Sequence, residues 1–307
     1  MLVTVESSTA MLLCRMVQRP TIQVEGRRAP YTELRAPGMS VVWLRTAAAL
    51  YSCGLLYALI FLFRKNTRLF TPALLAFAAG AVFHLVSIVE LRAETGHLPI
   101  NNFYETCSTC GFLIASLFLL AYSYYRVALF GICIFPLVFF MTLIGATEFP
   151  LHPWVNPQIR NAWLVVHIAT VLIGYAALIL SAVASVYYLV QERRLKRKFL
   201  VSAGNGLPPL ATLDRLITQF MNAGFVFITL GTVTGVVWAS IESGTKWVLD
   251  PKIAFFLFTW AFYLAMIFLR ISAGWRGRRI AWLAVGVLGC SLITWATHLS
   301  LRSFFGQ

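Results

Sequence analysis

The chain has 307 residues, of which 59% are hydrophobic and only 12% are charged. This is not the composition of a soluble globular domain, in which about a quarter of the residues are charged. The net charge of +14 does not indicate a nucleic-acid partner, because the basic residues fall in short segments between long apolar runs. Basic loops of this kind report membrane topology. The sequence therefore predicts an all-α, polytopic integral membrane protein.

Apolar runs of about 20 residues, long enough to cross a bilayer as helices, follow one another from residue 41 onward. We predict an N-terminal extension over residues 1–40 and a transmembrane domain over residues 41–303. Eight spans are expected within that domain, at residues 41–63, 71–91, 106–125, 128–146, 163–191, 218–241, 253–271 and 281–301.

Positive charge is unevenly distributed over the predicted loops. Loops that follow odd-numbered spans carry fourteen Lys and Arg residues, whereas loops that follow even-numbered spans, with the C-terminal tail, carry five. Because Lys and Arg accumulate on the cytoplasmic side of a membrane, the first set is expected in the cytoplasm. The loops at 92–105, 147–162 and 242–252 then face outward.

The N-terminal extension does not fit this topology, because its five arginines would face outward. It also lacks the long apolar core and the cleavage site of a signal peptide. We therefore expect natural translation to begin at Met39, which leaves a short outer terminus.

Three histidines fall within predicted spans. His84 lies near the middle of the second span, whereas His167 and His298 lie near the outer ends of the fifth and eighth. A polar side chain inside a membrane is costly and often functional, and a neutral imidazole is a common ligand of metals and of haem iron. The matched depth of His167 and His298 favours a shared ligand. The alternative is that each histidine only hydrogen-bonds a neighbouring helix.

The outer segment 238–260 is rich in tryptophan. Trp238, Trp247 and Trp260 would offer a stacking surface to a flat apolar ligand, although tryptophan at a membrane surface is also common as an aromatic belt. Asp250 precedes a proline and is expected to cap the next helix whatever the loop binds.

Cys107 and Cys110 form a C-x-x-C at the outer start of the third span. Such a pair can be a redox couple or half of a metal site. The sequence has no second C-x-x-C, so a structural zinc site is not expected. Two packed thiols are the simpler interpretation, and redox activity stays open.

Four stretches of the sequence together resemble the cytochrome c assembly family of membrane haem-handling proteins, the CcsA/ResC, CcmC and HemX-like group. The most specific is NAWLVVHIATVLIGYAAL at 161–178, in which a tryptophan precedes His167 by four residues and a tyrosine follows on a small-residue helix. The others are GHLPINNFYET at 96–106, the helix at 213–239 and GWRGRR at 274–279. The resemblance covers about residues 41–303.

The resemblance implies haem b as the cofactor. His167 and His298 correspond to the two axial ligands of a haem at the outer membrane surface. His84 corresponds to a ligand of the family's second, buried haem site.

The family covers its outer haem with a tryptophan-rich loop, the WWD domain. Trp247, Trp238 and Asp250 correspond to residues of that loop. Basic side chains favour carboxylates, so a haem propionate is expected to meet one of three cations: Lys246, Lys252 or Arg302.

Two positions depart from the family pattern. The loop typically reads W-x-W-D-P-K, but Leu249 stands here in place of the second tryptophan. The buried haem site of CcsA-type members uses a second histidine where this chain has Phe268. HemX-like members also have degraded loops of this kind.

The function implied is haem presentation to an apocytochrome c, with a ResB-like second membrane subunit that carries a large outer domain. The location implied is the bacterial inner membrane, with the haem site facing the periplasm. The chain would deliver haem to a cytochrome c synthetase rather than act as an enzyme alone. Two alternatives stay open: a HemX-like scaffold or regulator that does not stably bind haem, and a small-molecule transporter with a site at His84.

Overall fold

The structure is a computed structural model that describes residues 38–64, 67–96, 98–100, 102–147, 162–196, 208–243 and 251–304. The predicted extension up to residue 37 lies outside the described residues. The predicted loop residues outside them are Lys246, Trp247, Leu249 and Asp250. The side chains of three further predicted residues, whose backbone is helical, are also outside the described part: Lys252, His298 and Arg302.

Eight α-helices make up nearly all of the described chain, and each overlaps one predicted span. In chain order they are α1 (Met39–Arg64), α2 (Phe70–Thr95), α3 (Phe103–Tyr125), α4 (Phe130–Ala146), α5 (Ala162–Lys196), α6 (Leu210–Ser243), α7 (Pro251–Ile271) and α8 (Arg278–Phe304). A 3-10 turn, Thr67–Leu69, precedes α2.

Six of these helices, namely α1, α2, α3, α5, α6 and α7, are long and apolar enough to cross a membrane. Helix α4 is also apolar but shorter, at 17 residues. No β-strand occurs in the segments that the structure describes. The prediction of an all-α, multi-pass membrane protein is confirmed.

The ends of α3 are set by local chemistry. The side-chain oxygen of Asn102 accepts a hydrogen bond of 2.7 Å from the backbone N–H of Glu105, which caps the helix start. Arg126, in the left-handed region at φ 52°, ends the helix. With these limits, Cys107 and Cys110 occupy the second turn of α3.

The first four helices pack around a cluster of aromatic side chains. Helix α1 packs against α2 and α4, and α3 packs against α4. Phe77 stacks on Phe135 with ring centroids 4.1 Å apart, and Tyr51 lies 4.9 Å from Phe77. All three side chains are fully buried.

The last four helices form a second packed group. Helix α5 packs against α6 and α8, and α7 lies against α6 and α8. Tyr263 of α7 donates a hydrogen bond of 2.7 Å to the carbonyl oxygen of Met221 on α6. Contact between α3 and α5 joins this group to the first four helices.

A salt bridge fastens α6 to α7 at the predicted cytoplasmic end. Arg270 donates from both terminal nitrogens to Asp214, at 3.2 and 2.9 Å, and also to the hydroxyl of Thr218. Asp214 accepts a further hydrogen bond of 3.3 Å from the backbone N–H of Gly277, in the turn before α8. Asp214 therefore connects three elements of the second group.

Candidate functional site

An apolar cavity of about 300 Å³ lies between helices α3, α4, α5, α7 and α8. This volume is at the lower end of the range for small-molecule and cofactor pockets. Helix α5 supplies one wall through positions four residues apart, which share a helix face. Those positions are His167, Val171, Tyr175 and Ile179.

One hydrogen bond fixes the ring of His167. Its Nδ1 lies 2.7 Å from the carbonyl oxygen of Gly231 on α6. Because a carbonyl oxygen only accepts hydrogen bonds, Nδ1 carries the proton, and Nε2 of the neutral ring keeps its lone pair. Metal-ligating histidines commonly make such a bond, since it fixes the tautomer and makes the other nitrogen more basic.

Glycines on α6 make room for this ring. A Cβ atom at Gly235 would lie 2.6 Å from both Cε1 and Nδ1 of His167, closer than real Cβ contacts come. On the other side, the ring of Phe256 from α7 meets the imidazole edge to face, with centroids 6.5 Å apart. The imidazole is therefore held between α6 and α7 while it lines the cavity.

Helix α8 lines the cavity with Ser291 and Thr294. The hydroxyl of Thr294 lies 2.8 Å from that of Thr259 on α7. His298 follows Thr294 by four residues in the same helix, and positions four apart share a helix face. The backbone thus places position 298 one turn beyond the cavity that His167 lines, toward the predicted outer end. A ligand shared by the two histidines stays a prediction.

Two of the three predicted tryptophans are described, and they differ in role. The indole Nε1 of Trp238, which follows Gly235 by three residues on α6, is buried and has no hydrogen-bond partner among the described residues. A buried donor without a partner calls for an acceptor from a ligand or an ordered water. Trp260 instead donates to the hydroxyl of Thr229 at 3.1 Å and stacks on Phe225. Trp260 packs α7 against α6.

His84 lies in a different environment, inside the first four helices. Its side chain is 0% exposed, and its Nε2 is 2.8 Å from the hydroxyl oxygen of Ser108. Tyr51 and Phe112 flank the ring edge to face at 6.0 and 5.5 Å. Ser108 also borders a cavity of about 40 Å³, which has room for a water molecule but is far smaller than a porphyrin.

Phe268, the position that corresponds to the second buried histidine of the family, lies on α7 and is 62% exposed. Helix α7 packs on α6 and α8, whereas α2, which carries His84, packs on α1 and α3. The two positions therefore belong to different helix groups.

The side chains of Cys107 and Cys110 are 6% and 7% exposed, and both line the cavity that contains His167. Met141 of α4 and Tyr175 lie in the same lining. The sequence connected Tyr175 with His167, as the tyrosine that follows it in the stretch 161–178. It did not connect Cys107, Cys110 or Met141 with His167, because no sequence signal tied α3 or α4 to α5.

Among the residues that the structure describes, no group of three or more His, Cys, Asp or Glu side chains comes together as a metal-ion site. A haem does not require one, because the porphyrin supplies four nitrogens and the protein supplies the axial ligands.

These features define a polytopic helical membrane protein with an apolar cavity that contains one oriented histidine. The sequence model of the family described as Cytochrome C assembly protein matches residues 41–304. The chain therefore belongs to the cytochrome c assembly protein family, as its sequence motifs predict.

Individual relatives agree with this assignment. The chain is 31% identical over 254 residues to the Cytochrome c biogenesis protein CcsA of Prochlorococcus marinus subsp. pastoris, which covers 74% of this chain and 79% of the relative. Proteins of the same name from Guillardia theta and Synechococcus sp. are each 29% identical, over 236 and 253 residues. These alignments cover 70% and 69% of this chain, and 76% and 82% of the relatives.

Proposed function

We propose that the chain binds haem b in the cavity lined by His167 and handles this haem in cytochrome c biogenesis. The observation that carries the proposal is the hydrogen bond from His167 Nδ1 to the Gly231 carbonyl. That bond leaves Nε2 as the nitrogen able to ligate iron. We assign the second axial position to His298, one turn beyond Thr294 on α8.

The residues present fit a haem. The cavity is largely apolar, as a porphyrin ring requires. Gly235 leaves space for the imidazole, and the buried indole N–H of Trp238 lacks a partner among the described residues, which suits a propionate or a water beside it. Bound haem would supply an iron whose potential depends on its axial ligands, and a ring with two reactive vinyl groups.

The chain's own part is to bind, orient and shield the haem. His167 and His298 would hold the iron, and Trp247 and Asp250 correspond to the family's loop that would cover the ring. The cations assigned to the propionates are Lys246, Lys252 and Arg302.

The excess of positive charge in alternate loops supports an orientation with the cavity toward the outer side of a bacterial inner membrane. Helices α3 and α7 line the cavity from their first two turns, which begin at that end. The chain then presents the haem to an apocytochrome c, and a ResB-like second membrane subunit acts with it. The relatives named Cytochrome c biogenesis protein CcsA support this place in cytochrome assembly.

The axial assignment is tested with His167→Ala and His298→Ala, purified in detergent. The control is His97→Ala, at a histidine of the predicted outer loop 92–105. We expect either axial substitution to shift or abolish the absorption spectrum of bound haem, and added imidazole to restore it in part. The control is expected to keep the parent spectrum. Parent spectra in both axial variants would refute the assignment.

A second candidate is a HemX-like scaffold or regulator that does not stably bind haem. Leu249 in the covering loop favours it, and so does Phe268, which stands where the family has the second histidine of its buried haem site. This candidate predicts a purified chain that takes up no haem on reconstitution and yet is required by a partner protein.

A further inference from the structure

The predicted cytoplasmic end of the second helix group carries a cluster of exposed arginines. They come from the end of α5, the first turns of α6, the turn after α7 and the start of α8. The members of this arginine cluster are Arg193, Arg194, Arg215, Arg276, Arg278 and Arg279. None of them has a part in the proposed haem site, which lies toward the other end of the same helices.

Contacts between three elements bring these arginines to one end of the group. The Asp214 carboxylate accepts a hydrogen bond of 3.3 Å from the backbone N–H of Gly277, which holds the turn before α8 on α6. A Cβ atom at Gly277 would lie 2.6 Å from the hydroxyl oxygen of Tyr188, so the same turn lies directly against α5. Arg276 is close enough to Asp214 to interact with its charge. The turn, α5 and α6 therefore meet where the arginines are.

The acidic side chains of the neighbouring turns do not neutralise the cluster. These side chains are Glu192 on α5 and Asp214 on α6. Glu192 pairs with Lys196 at 2.7 Å, and Asp214 pairs with Arg270 at 2.9 Å. Because each carboxylate already has a cation outside the cluster, the arginines leave an excess of positive charge at this end.

Two tryptophans lie beside the arginines of α8. The guanidinium group of Arg279 lies over the ring of Trp275, 5.3 Å from its centroid. Trp282 is 49% exposed and follows Arg278 by four residues, so the two share a face of the helix. Since α8 is predicted to run outward, Trp282 lies one turn deeper in the membrane than Arg278. One face of α8 thus offers a cation and then an exposed aromatic surface.

We propose that the arginine cluster binds the phosphate headgroup of an anionic phospholipid, with an acyl chain along α8 at Trp282. Arginine binds phosphate oxygens through strong, charge-assisted hydrogen bonds. Basic pockets between helices on the cytoplasmic side of a membrane are typical sites for such headgroups. A nucleic acid or an acidic protein would match the charge, but it would leave the aromatic surface one turn deeper without a partner. This site is separate from the proposed haem site and does not depend on it.

Membrane topology alone does not account for the cluster. The first helix group has exposed arginines at the same predicted side of the membrane, among them Arg64 and Arg126. These satisfy the positive-inside pattern as well as the cluster does, but they lie outside it. They therefore provide controls with the same topological role.

The test measures lipid binding to the full chain, purified in detergent and stripped of lipid. Dioleoyl phosphatidylglycerol or dioleoyl phosphatidylcholine is added in increasing amounts, and the bound lipid is counted by native mass spectrometry. The two lipids have the same acyl chains, so a difference between them reports the headgroup. We expect the parent chain to bind phosphatidylglycerol more tightly than phosphatidylcholine.

The cluster variant carries Arg278→Gln and Arg279→Gln, and the control variant carries Arg64→Gln and Arg126→Gln. We expect the affinity of the cluster variant for phosphatidylglycerol to fall by about fivefold for each arginine removed, the usual contribution of a basic residue beside an anionic membrane surface. The control variant is expected to bind as the parent does. Thermal unfolding without added lipid shows whether each variant is folded.

A second cluster variant, with Arg193→Gln and Arg194→Gln on α5, repeats the measurement if the first is unfolded. Equal affinities of the parent chain for the two lipids would overturn the site, and so would equal losses in the cluster and control variants. Inorganic phosphate separates a lipid from a soluble anion. If phosphate displaces bound phosphatidylglycerol more than sodium chloride of the same ionic strength does, the cluster is a site for free phosphate and the lipid assignment is wrong.

Discussion

Two glycines on α6 fix the tautomer and the position of the His167 imidazole. The Gly231 carbonyl accepts its Nδ1 proton, and Gly235 leaves space where any side chain would touch the ring. These two glycines therefore set both the tautomer and the position of the histidine.

Gly235→Ala tests this arrangement. The added Cβ would lie 2.6 Å from the ring, so the imidazole or α6 must move and the bond to Gly231 is lost. Since substitutions beside a metal ligand commonly weaken binding by about 10- to 100-fold, we expect haem affinity to fall by about tenfold or more. Alanine favours a helix more strongly than glycine does, so a loss of haem affinity in this variant would not come from weaker helix formation.

The measurement is a haemin titration of the haem-free chain, followed by absorption. Gly289→Ala on α8 is the matched control, because a Cβ at Gly289 has no neighbour within 4 Å. Equal affinities in the two variants would show that the room at Gly235 does not position the ligand.

Residues on one helix could be related to each other from sequence, whereas residues on different helices could not. His167 stood out as a polar residue in an apolar run, and Tyr175 follows it at helical spacing. Cys107 and Cys110 lie on α3, about 60 residues earlier, and nothing in the C-x-x-C indicates which helix it faces. Packed thiols and thiols in a cavity look the same in sequence.

At the scale of the helices, the hydrophobic runs predicted all eight helices, and the errors were mainly in where the helices begin and end. Helix α6 begins at Leu210, eight residues before its predicted span. The charges of Asp214 and Arg215 ended the apolar run, but they do not end the helix. Asp214 is paired with Arg270, a long-range contact that hydropathy does not reveal.

This pair is expected to stabilise the second helix group. The side chains of Arg270 and Asp214 are 11% and 25% exposed, and their geometry is bidentate, which is the stronger form. We expect Arg270→Ala to lower the free energy of unfolding by about 2 kcal/mol, as for hydrogen bonds to charged groups.

Thermal unfolding in detergent measures this effect. Lys196→Ala is the control, because the Lys196–Glu192 pair joins neighbouring turns of one helix and its lysine is 64% exposed. Such surface pairs contribute less than about 1 kcal/mol. Equal losses in the two variants would contradict a structural role for the Arg270–Asp214 contact.

At the scale of the whole molecule, the cavity belongs to neither helix group alone. Helices α3 and α4 come from the first group, and α5, α7 and α8 from the second. Charge asymmetry predicted which helix ends share one side of the membrane, and therefore that His167 and His298 lie at similar depth. It could not predict which helices touch, because apolar surfaces that face lipid and surfaces that face other helices have similar composition.

The two groups also differ in their suitability for haem. The cavity beside His167 has about 300 Å³, whereas the space next to the Ser108 partner of His84 has about 40 Å³. Phe268 adds no ligand to His84. We therefore expect one haem per chain, at the His167 cavity.

The most direct test of haem binding is the absorption spectrum of the detergent-purified chain, oxidised and then reduced with dithionite, combined with a pyridine haemochrome count. Two axial histidines are expected to give a sharp reduced α-band, and the count is expected to be near one haem per chain. A chain that carries no haem, and takes up none on reconstitution, would contradict the proposed function and leave His167 as a residue that packs α5 against α6.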